Sequence, residues 1–280
     1  MKETTTPTKK CAFVIFAGLL IEAVAIGASS TQPTQSRKTY AMIVSGINKD
    51  AKEQQAKDNA VMNLRTFLLN DVRIQPDQLS ILVSYDSPIQ KGSKISTAEN
   101  LEKQMNLFAN KIRPSDRFIF YYVGQANVVT ETLRLNLPGK DMTHEQLARR
   151  LNGIRASSML IVLDCPGAGA AVKALAGKDR IIIGACTHEE HYSTQFSKFF
   201  VPALTDLQSD TDGDGKISVL EAFTVAARQL DDSYRQQNLL QTETPILEDN
   251  ADGVASRQPW RYREDHTDGP AASKCSLSPK

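Results

Sequence analysis

The sequence predicts an α/β fold, a three-layer sandwich with a mainly parallel sheet. Short apolar runs alternate along the chain with longer segments whose apolar residues recur at helical spacing. The runs at 118–123 and 181–183 are continuously apolar, which is typical of strands covered by helices on both faces. With 280 residues, of which 41% are hydrophobic, the chain has enough apolar side chains for one core of this kind.

Five apolar segments are predicted to be strands, at residues 39–47, 79–85, 117–124, 159–164 and 180–186. Six amphipathic segments are predicted to be the covering helices, at residues 52–69, 97–112, 144–151, 169–175, 194–207 and 219–230. Residues 130–137 are predicted to form a short hairpin insertion. Because strands that alternate with helices pair in parallel through right-handed crossovers, we expect the strand C-termini to share one edge of the sheet.

The loops at that edge are the predicted functional site. Ligands of open parallel sheets bind in the crevice beyond the C-terminal ends of the strands. In this chain that rule selects the loops at 124–126, 164–167 and 184–186. The loop after the first strand, at 44–49, has one glycine and no phosphate-binding pattern, so a nucleotide ligand is not expected.

Residues 1–28 are predicted to be a signal peptide. Lys9 and Lys10 precede an apolar run at 11–28 that is interrupted only by Glu22. An uncleaved membrane anchor is the alternative, because the run is close to the length that spans a bilayer. The sequence therefore predicts a secreted or periplasmic protein, with a linker at 29–37 before an α/β domain at 38–240.

The charge balance excludes some partners. The chain has 33 Lys and Arg against 32 Asp and Glu, and removal of residues 1–28 leaves a neutral chain. Nucleic acids and anionic membranes require a clustered positive surface, so neither is an expected partner, apart from a membrane contact through an uncleaved N-terminal segment. Residues 241–280 are polar and rich in Asp, Gly, Ser and Pro, and we expect a loosely held, disordered tail there.

Three cysteines remain after removal of the signal peptide: Cys165, Cys186 and Cys275. Cys165 and Cys186 both follow predicted strands, so their sulfurs could meet if those strands are neighbours. An exported protein can hold them as a disulfide, and two buried free thiols are the alternative. The sequence leaves both possibilities open.

Residues 210–221 have the ligand spacing of a twelve-residue EF-hand loop, which binds Ca²⁺ through six to eight oxygens. Gly215 provides the sharp bend, and Ile217 is expected to point into the protein. Helices are expected before and after the loop, at 196–207 and 219–230. The predicted ligands are Asp210, Asp212, Asp214, the main-chain oxygen of Lys216, Ser218 through a water molecule, and Glu221 with both oxygens.

This loop is expected to act alone. EF-hands that sense calcium usually occur in pairs, and the best second candidate, at 248–253, has Pro259 where the closing Glu is required. We therefore predict that Ca²⁺ stabilises the fold and does not switch it.

Two stretches, at 118–126 and 159–169, resemble in order the strand ends of the caspase and legumain class of cysteine peptidases. The resemblance extends over about 38–240 and is greatest to exported bacterial legumain-like proteins with an Asp-rich calcium loop. It implies a caspase-like fold and a catalytic His and Cys after the third and fourth strands. The His position falls on Gln125, and the Cys position falls on Cys165 or one residue later, on Pro166.

These departures imply that peptidase chemistry is lost, because an amide has no titratable group to deprotonate a thiol. The prediction is a non-catalytic peptidase homologue that binds a peptide or protein or acts as a scaffold. The alternative is an active cysteine endopeptidase that uses Cys165 or Cys186 with a relocated base, His188 or His191. A purely structural envelope protein is a third possibility.

Overall fold

The computed structural model describes residues 1–4, 6, 37–85, 87, 92–261 and 267–278. The chain divides into two units, 1–36 and 37–280, and the fold given below is that of the second unit. The predicted signal peptide, apart from residues 1–4 and 6, lies outside the described residues, and so does the predicted linker up to residue 36. None of the described helices has both the length and the hydropathy needed to cross a bilayer.

The middle layer of the second unit is a seven-stranded mixed sheet with the order β10-β9-β8-β4-β1-β2-β3. All neighbours in it are parallel except β10, which pairs antiparallel with β9. The five predicted strands are confirmed as β1, β2, β4, β8 and β9. The described strands are β1 (Thr39–Ser45), β2 (Leu79–Val83), β3 (Lys94–Ile95), β4 (Arg117–Val123), β5 (Ala126–Val129), β6 (Thr132–Leu135), β7 (Met142–Thr143), β8 (Ser158–Asp164), β9 (Arg180–Gly184) and β10 (Ile246–Glu248).

Helices cover both faces of this sheet, which gives the predicted α/β sandwich. One face packs against α2, α3 and α4, and the other against α1, α5 and α6. Side chains alternate between the two cores, so that Phe118 and Phe120 of β4 lie in one and Ile119 and Tyr121 in the other. The helices are α1 (Ala51–Asn70), α2 (Ala98–Lys111), α3 (His144–Asn152), α4 (Val172–Leu175), α5 (Phe196–Ala203), α6 (Val219–Gln236) and α7 (Pro270–Ser273).

The segment predicted as a helix at 194–207 is shorter in the structure. Helix α5 ends at Ala203, and a separate 3-10 turn at Leu207–Ser209 leads into the acidic loop. The chain turns at this point because the carbonyl of Pro202 accepts hydrogen bonds from the amides of Thr205 and Asp206, at 3.0 and 3.1 Å. The segment at 169–175 is likewise split into a 3-10 turn, Ala168–Ala171, and α4.

The hairpin predicted at 130–137 begins earlier, at Ala126, and forms a small antiparallel sheet with the order β5-β6-β7. Thr130 and Glu131 make its two-residue turn with positive φ angles of 47° and 63°. Neither residue is glycine or asparagine, the types that favour positive φ, so the sequence lacked the usual signal for this turn.

The expectation of a disordered tail at 241–280 is corrected by the structure for the residues that it describes. Ile246 and Leu247 are buried in β10 at the edge of the main sheet. Further on, Leu277 is buried, and the amide of Val219 in α6 donates to the carbonyl of Cys275 at 2.7 Å. Two adjacent apolar residues are too short a pattern to reveal a strand, which is why composition misled here.

Candidate functional site

The C-terminal ends of β4, β8 and β9 meet at one edge of the sheet, as predicted. The amide of Gly124 donates to the carbonyl of Asp164 at 3.2 Å, so the two loops are joined. A side chain on Gly124 would come within 2.8 Å of the Gly46 Cα, which explains why both positions are glycine. Tyr122 supports the loop from below, because its hydroxyl donates to the carbonyl of Gln125 at 2.7 Å.

Gln125 stands where the resemblance places the catalytic histidine. Its Nε2 donates to Glu53 Oε1 of α1 at 2.6 Å and to Ser193 Oγ at 2.8 Å. Because a carboxylate accepts and never donates, the first bond requires the amide nitrogen to face Glu53. The side chain is thus held by two neighbours and has no group that could accept a thiol proton near neutral pH.

Both candidate nucleophiles are buried. Cys165 is 0% exposed, and burial raises the pKa of its thiol well above the usual value, with further increases from the nearby Cys186 and Asp164. Cys186 is also 0% exposed, and its Sγ donates to the carbonyl oxygens of Cys165 and Glu190, each at 3.3 Å. Burial raises the pKa of Cys186 to about 12, so both thiols stay protonated at neutral pH.

The disulfide considered for Cys165 and Cys186 is absent, and both are free thiols, as is Cys275. The loops that follow β8 and β9 are joined instead by a hydrogen bond from the Cys186 thiol to the Cys165 carbonyl. Cys275 is partly buried and belongs to the ordered C-terminal segment.

The two candidate relocated bases lie on the surface. His188 is 66% exposed, with its Nε2 at 3.6 Å from Glu189. His191 is exposed and lines the same cleft as Gln125. Among the described residues, neither ring hydrogen-bonds to Cys165 or Cys186, so the structure does not bring the predicted base and nucleophile together.

The cleft in front of Gln125 has a volume of about 540 Å³ and is open to solvent. Its wall includes polar side chains, and Tyr192, which is 67% exposed, adds an aromatic face. Such a surface can bind an extended peptide through main-chain hydrogen bonds and one stacked side chain. The lining residues are Lys49, Gln125, Asn136, His191, Tyr192 and Ser193.

A buried ion pair lies behind this edge and was missed by sequence reasoning. Lys57 Nζ of α1 is 3.3 Å from Asp164 Oδ1 and donates to the Thr194 carbonyl at 2.7 Å. Ser197 donates to Asp164 from its amide at 2.9 Å and also from its hydroxyl. Burial alone would raise the pKa of Asp164, but Lys57 and the bonds from Ser197 outweigh it and lower that pKa.

Lys57 could have been recognised from its spacing. It lies four residues before Val61 and seven before Leu64, on the apolar face of α1. A lysine in that position is buried against the sheet and needs an acidic partner there. Asp164 supplies it from the end of β8.

Glu243 is a second buried acid that sequence reasoning missed, since it was assigned to the tail. Both of its carboxylate oxygens accept from the Gln195 amide, at 3.1 and 2.8 Å. Burial and the charge of Asp164 raise the pKa of Glu243 to about 8. At neutral pH this side chain is therefore largely protonated next to an ionised aspartate.

The acidic loop at 210–221 brings together three of the six predicted ligands. Oxygen atoms of Asp210, Asp212 and Asp214 lie within 4.8 Å of one another. Gly215 adopts a φ of 81°, which a side chain would strain, and its amide donates to Asp210 Oδ2 at 2.9 Å. Ile217 is partly buried against the core, as predicted.

Glu221 closes the loop from the first turn of α6. Its Oε1 accepts from the Thr211 amide at 2.7 Å and from the Asp212 amide at 3.2 Å, and its Oε2 accepts from the Ser218 amide at 2.8 Å. The carboxylate thus faces the start of the loop. An all-oxygen set of this kind, with three clustered carboxylates and a fourth beside them, fits a hard divalent cation such as Ca²⁺.

No protein-family model matches the chain, and no curated protein matches it either.

Proposed function

We propose that this chain is an exported, calcium-binding, legumain- and caspase-like domain without peptidase activity, which acts by binding a peptide or protein or as a scaffold. The observation that carries the proposal is the side chain of Gln125. It stands at the end of β4, and both hydrogen bonds donated by its side-chain amide go to residues other than a cysteine. Position 125 therefore offers no proton acceptor for nucleophilic catalysis.

The state of the thiols supports the same conclusion. A peptide carbonyl must come within contact distance of the attacking sulfur, and both Cys165 and Cys186 are 0% exposed. The thiolate is the reactive form, and burial raises the pKa of both groups. Hydrolysis through either sulfur would require the loops around them to open.

The open cleft supports a binding role. The groups that line it include donors and acceptors, and among them the Gln125 amide is fixed by Glu53 and Ser193. Preorganised polar groups of this kind lower the entropic cost of binding an extended peptide. A purely structural protein would have no need for such a cleft.

Calcium in this proposal stabilises the domain. The acidic loop connects the 3-10 turn that follows α5 to the start of α6. Helices α5 and α6 pack against each other on one face of the sheet. Ser218 in the loop also forms a β-bridge with Ser276 of the C-terminal segment. A cation at Asp210, Asp212 and Asp214 would offset the repulsion among three like charges and hold these parts together.

Labelling with a thiol-reactive peptide ketone, followed by peptide mass spectrometry, tests the loss of activity. We expect no modification of Cys165 or Cys186 in the folded chain and full modification after denaturation. Labelling of the folded chain that disappears in His191→Ala or His188→Ala would establish the active endopeptidase instead. Cys275→Ser is the matched background, because it removes the third thiol from the count.

A further inference from the structure

A second acidic loop lies at the end of β10, at residues 248–254. Two of its residues have positive φ, Ala251 at 69° and Gly253 at 78°. In the loop that begins at residue 210, called the first loop below, Gly213 and Gly215 have φ angles of 74° and 81°. Counted from the first residue of each loop, the left-handed residues therefore stand at positions four and six in both.

The hydrogen bonds inside the two loops correspond as well. In both loops, the main-chain amide at position five donates to the side chain at position three. The amide at position seven donates to the side chain at position five, and the amide at position six donates to the side chain at position one. The distances are 3.0, 2.8 and 2.9 Å in the first loop and 2.9, 2.7 and 3.4 Å in the second. Positions one, three, five and seven are Asp210, Asp212, Asp214 and Lys216 in the first loop, and Glu248, Asn250, Asp252 and Val254 in the second.

The missing closing residue of the second loop is supplied from further along the chain. In the first loop, Glu221 at position twelve accepts from the amide of Thr211 at position two. Position twelve of the second loop is Pro259, which is why the sequence argued against a site. In the structure Asp268 Oδ1 accepts from Asp249 at position two, at 3.1 Å, and so takes the place of the closing glutamate.

Glu248 provides an independent indication that a ligand belongs here. Its side chain is 0% exposed, and among the described residues its Oε2 has no hydrogen-bond partner. Its other oxygen accepts from the amide of Gly253, so the carboxylate is directed at the loop. A buried carboxylate oxygen without a partner is costly, and a cation in the loop would remove that cost.

The acids of this region are close enough to interact. Burial, together with the charges of Asp249, Glu248 and Asp252, raises the pKa of Asp268 to about 7.

We propose that the second loop, together with Asp268, forms a second site for a hard divalent cation of the calcium type. The proposed donors are all oxygens, as such a cation requires. The site does not depend on whether the first loop binds calcium. Its donors are the carboxylates of Glu248, Asp252 and Asp268, the amide oxygen of Asn250 and the main-chain oxygen of Val254.

A cation here would connect β10 to the C-terminal helix. Asp249 already joins the two, because its oxygens accept from the amides of Gly269 and Ala272 at 2.8 and 2.7 Å, and it is therefore occupied. Among the described residues, only the first loop brings three acidic oxygens within 4.8 Å. Binding at the second loop requires Asp252 and Asp268 to draw together. Asp252 is exposed, and its oxygens accept from the Val254 amide at 2.7 Å and from the Asn250 side chain at 3.1 Å.

The test counts bound Ca²⁺ by native mass spectrometry and isothermal titration calorimetry on the metal-free full chain. We expect two ions in the unmodified chain. The pair Glu248→Gln and Asp252→Asn should leave one, the pair Asp210→Asn and Asp212→Asn should leave one, and all four changes together should leave none. Asp232→Asn, at an exposed position of α6, is the control and should retain two.

The outcomes separate the two sites. A single ion that is lost only with the first-loop pair would overturn the second site and leave the proposed function intact. A single ion that is lost only with the second-loop pair would support the second site and contradict calcium binding by the first. If Glu248→Gln fails to fold by circular dichroism, Asp252→Asn alone should weaken the second binding event at least tenfold, and unchanged binding would refute the proposal.

Discussion

The side-chain amide of Gln125 donates a 2.6 Å hydrogen bond to Glu53 of α1. This bond joins the end of β4 to a helix on one face of the sheet, and the second bond, to Ser193, joins it to the loop after β9. A side chain at position 125 that acted as a base for either cysteine would have to give up both of these hydrogen bonds. Gln125 is therefore a fixed part of the cleft wall, as the proposed binding role requires.

Placing a histidine at position 125 should not produce peptidase activity. In Gln125→His the imidazole would stand beside Glu53 and Ser193, while Cys165 would remain 0% exposed with a raised thiol pKa. We expect peptide hydrolysis no faster than that of Gln125→Ala, measured with a fluorogenic peptide mixture. A rate that depends on Cys165 in the histidine variant would show that the site lacks only its base.

The buried ion pair should contribute strongly to stability. Lys57→Met leaves Asp164 ionised and buried without its cation, which typically costs about 3 to 5 kcal/mol in the free energy of unfolding. Urea denaturation at neutral pH measures the loss. Lys52→Met, on the exposed side of the same helix, is the matched control and should change stability by less than about 0.5 kcal/mol. Equal losses of unfolding free energy in the two variants would contradict a stabilising role for the buried ion pair.

Glu243 should make the stability depend on pH. Its pKa is about 8 in the fold, against 4.5 for the unperturbed group, so between these values the folded chain binds more protons than the unfolded chain. The stabilising contribution is therefore complete below pH 4.5 and is lost as the pH rises through about 8. The slope is at most about 1.4 kcal/mol per pH unit.

Glu243→Gln isolates this effect, because the amide oxygen can still accept from Gln195 and has no proton to lose. We expect the stability of this variant relative to the unmodified chain to rise with pH from 5 to 8, measured by urea denaturation at fixed calcium. Thr242→Ser is a conservative neighbouring control that should show no such trend. A constant difference across this range would contradict the raised pKa.

Calcium should raise the melting temperature through the first loop. A cation that binds only the folded chain, present at 10 to 100 times its dissociation constant, adds about 1.4 to 2.7 kcal/mol of stability. In the background of Glu248→Gln and Asp252→Asn, which removes the second proposed site, Asp210→Asn should remove most of this gain in differential scanning calorimetry, while Asp232→Asn should retain it. A melting temperature that is unaffected by calcium in the unmodified chain would contradict this role.

The sheet was predictable because its signal is local. Continuous apolar runs such as 118–123 are typical of strands that are buried on both faces. The strand formed by this run, β4, lies in the sheet between β8 and β1. Helix α6 was equally visible, since its apolar residues recur at helical spacing, and in the structure Ser218 and Glu221 form a capping box at its start. Strand β10 has only three residues and no period, so its place at the sheet edge depends on packing that no pattern reveals.

The chemistry of the site depends on contacts between distant residues. Lys57 and Asp164, which form the ion pair, are 107 positions apart in the sequence. Asp249 and Asp268, which form a hydrogen bond, are 19 positions apart. A spacing rule finds ligands only when they follow each other, as in the first loop. It therefore argued against the second loop because of Pro259, whereas the proposed second site takes its closing carboxylate from Asp268, which accepts from the Asp249 amide.

The most direct measurement of the central claim is peptide hydrolysis by the purified chain, in calcium, against a diverse peptide library read by mass spectrometry. The account predicts no cleavage products beyond those of the double variant Cys165→Ser and Cys186→Ser. Products that form with the unmodified chain and vanish in that variant would contradict it.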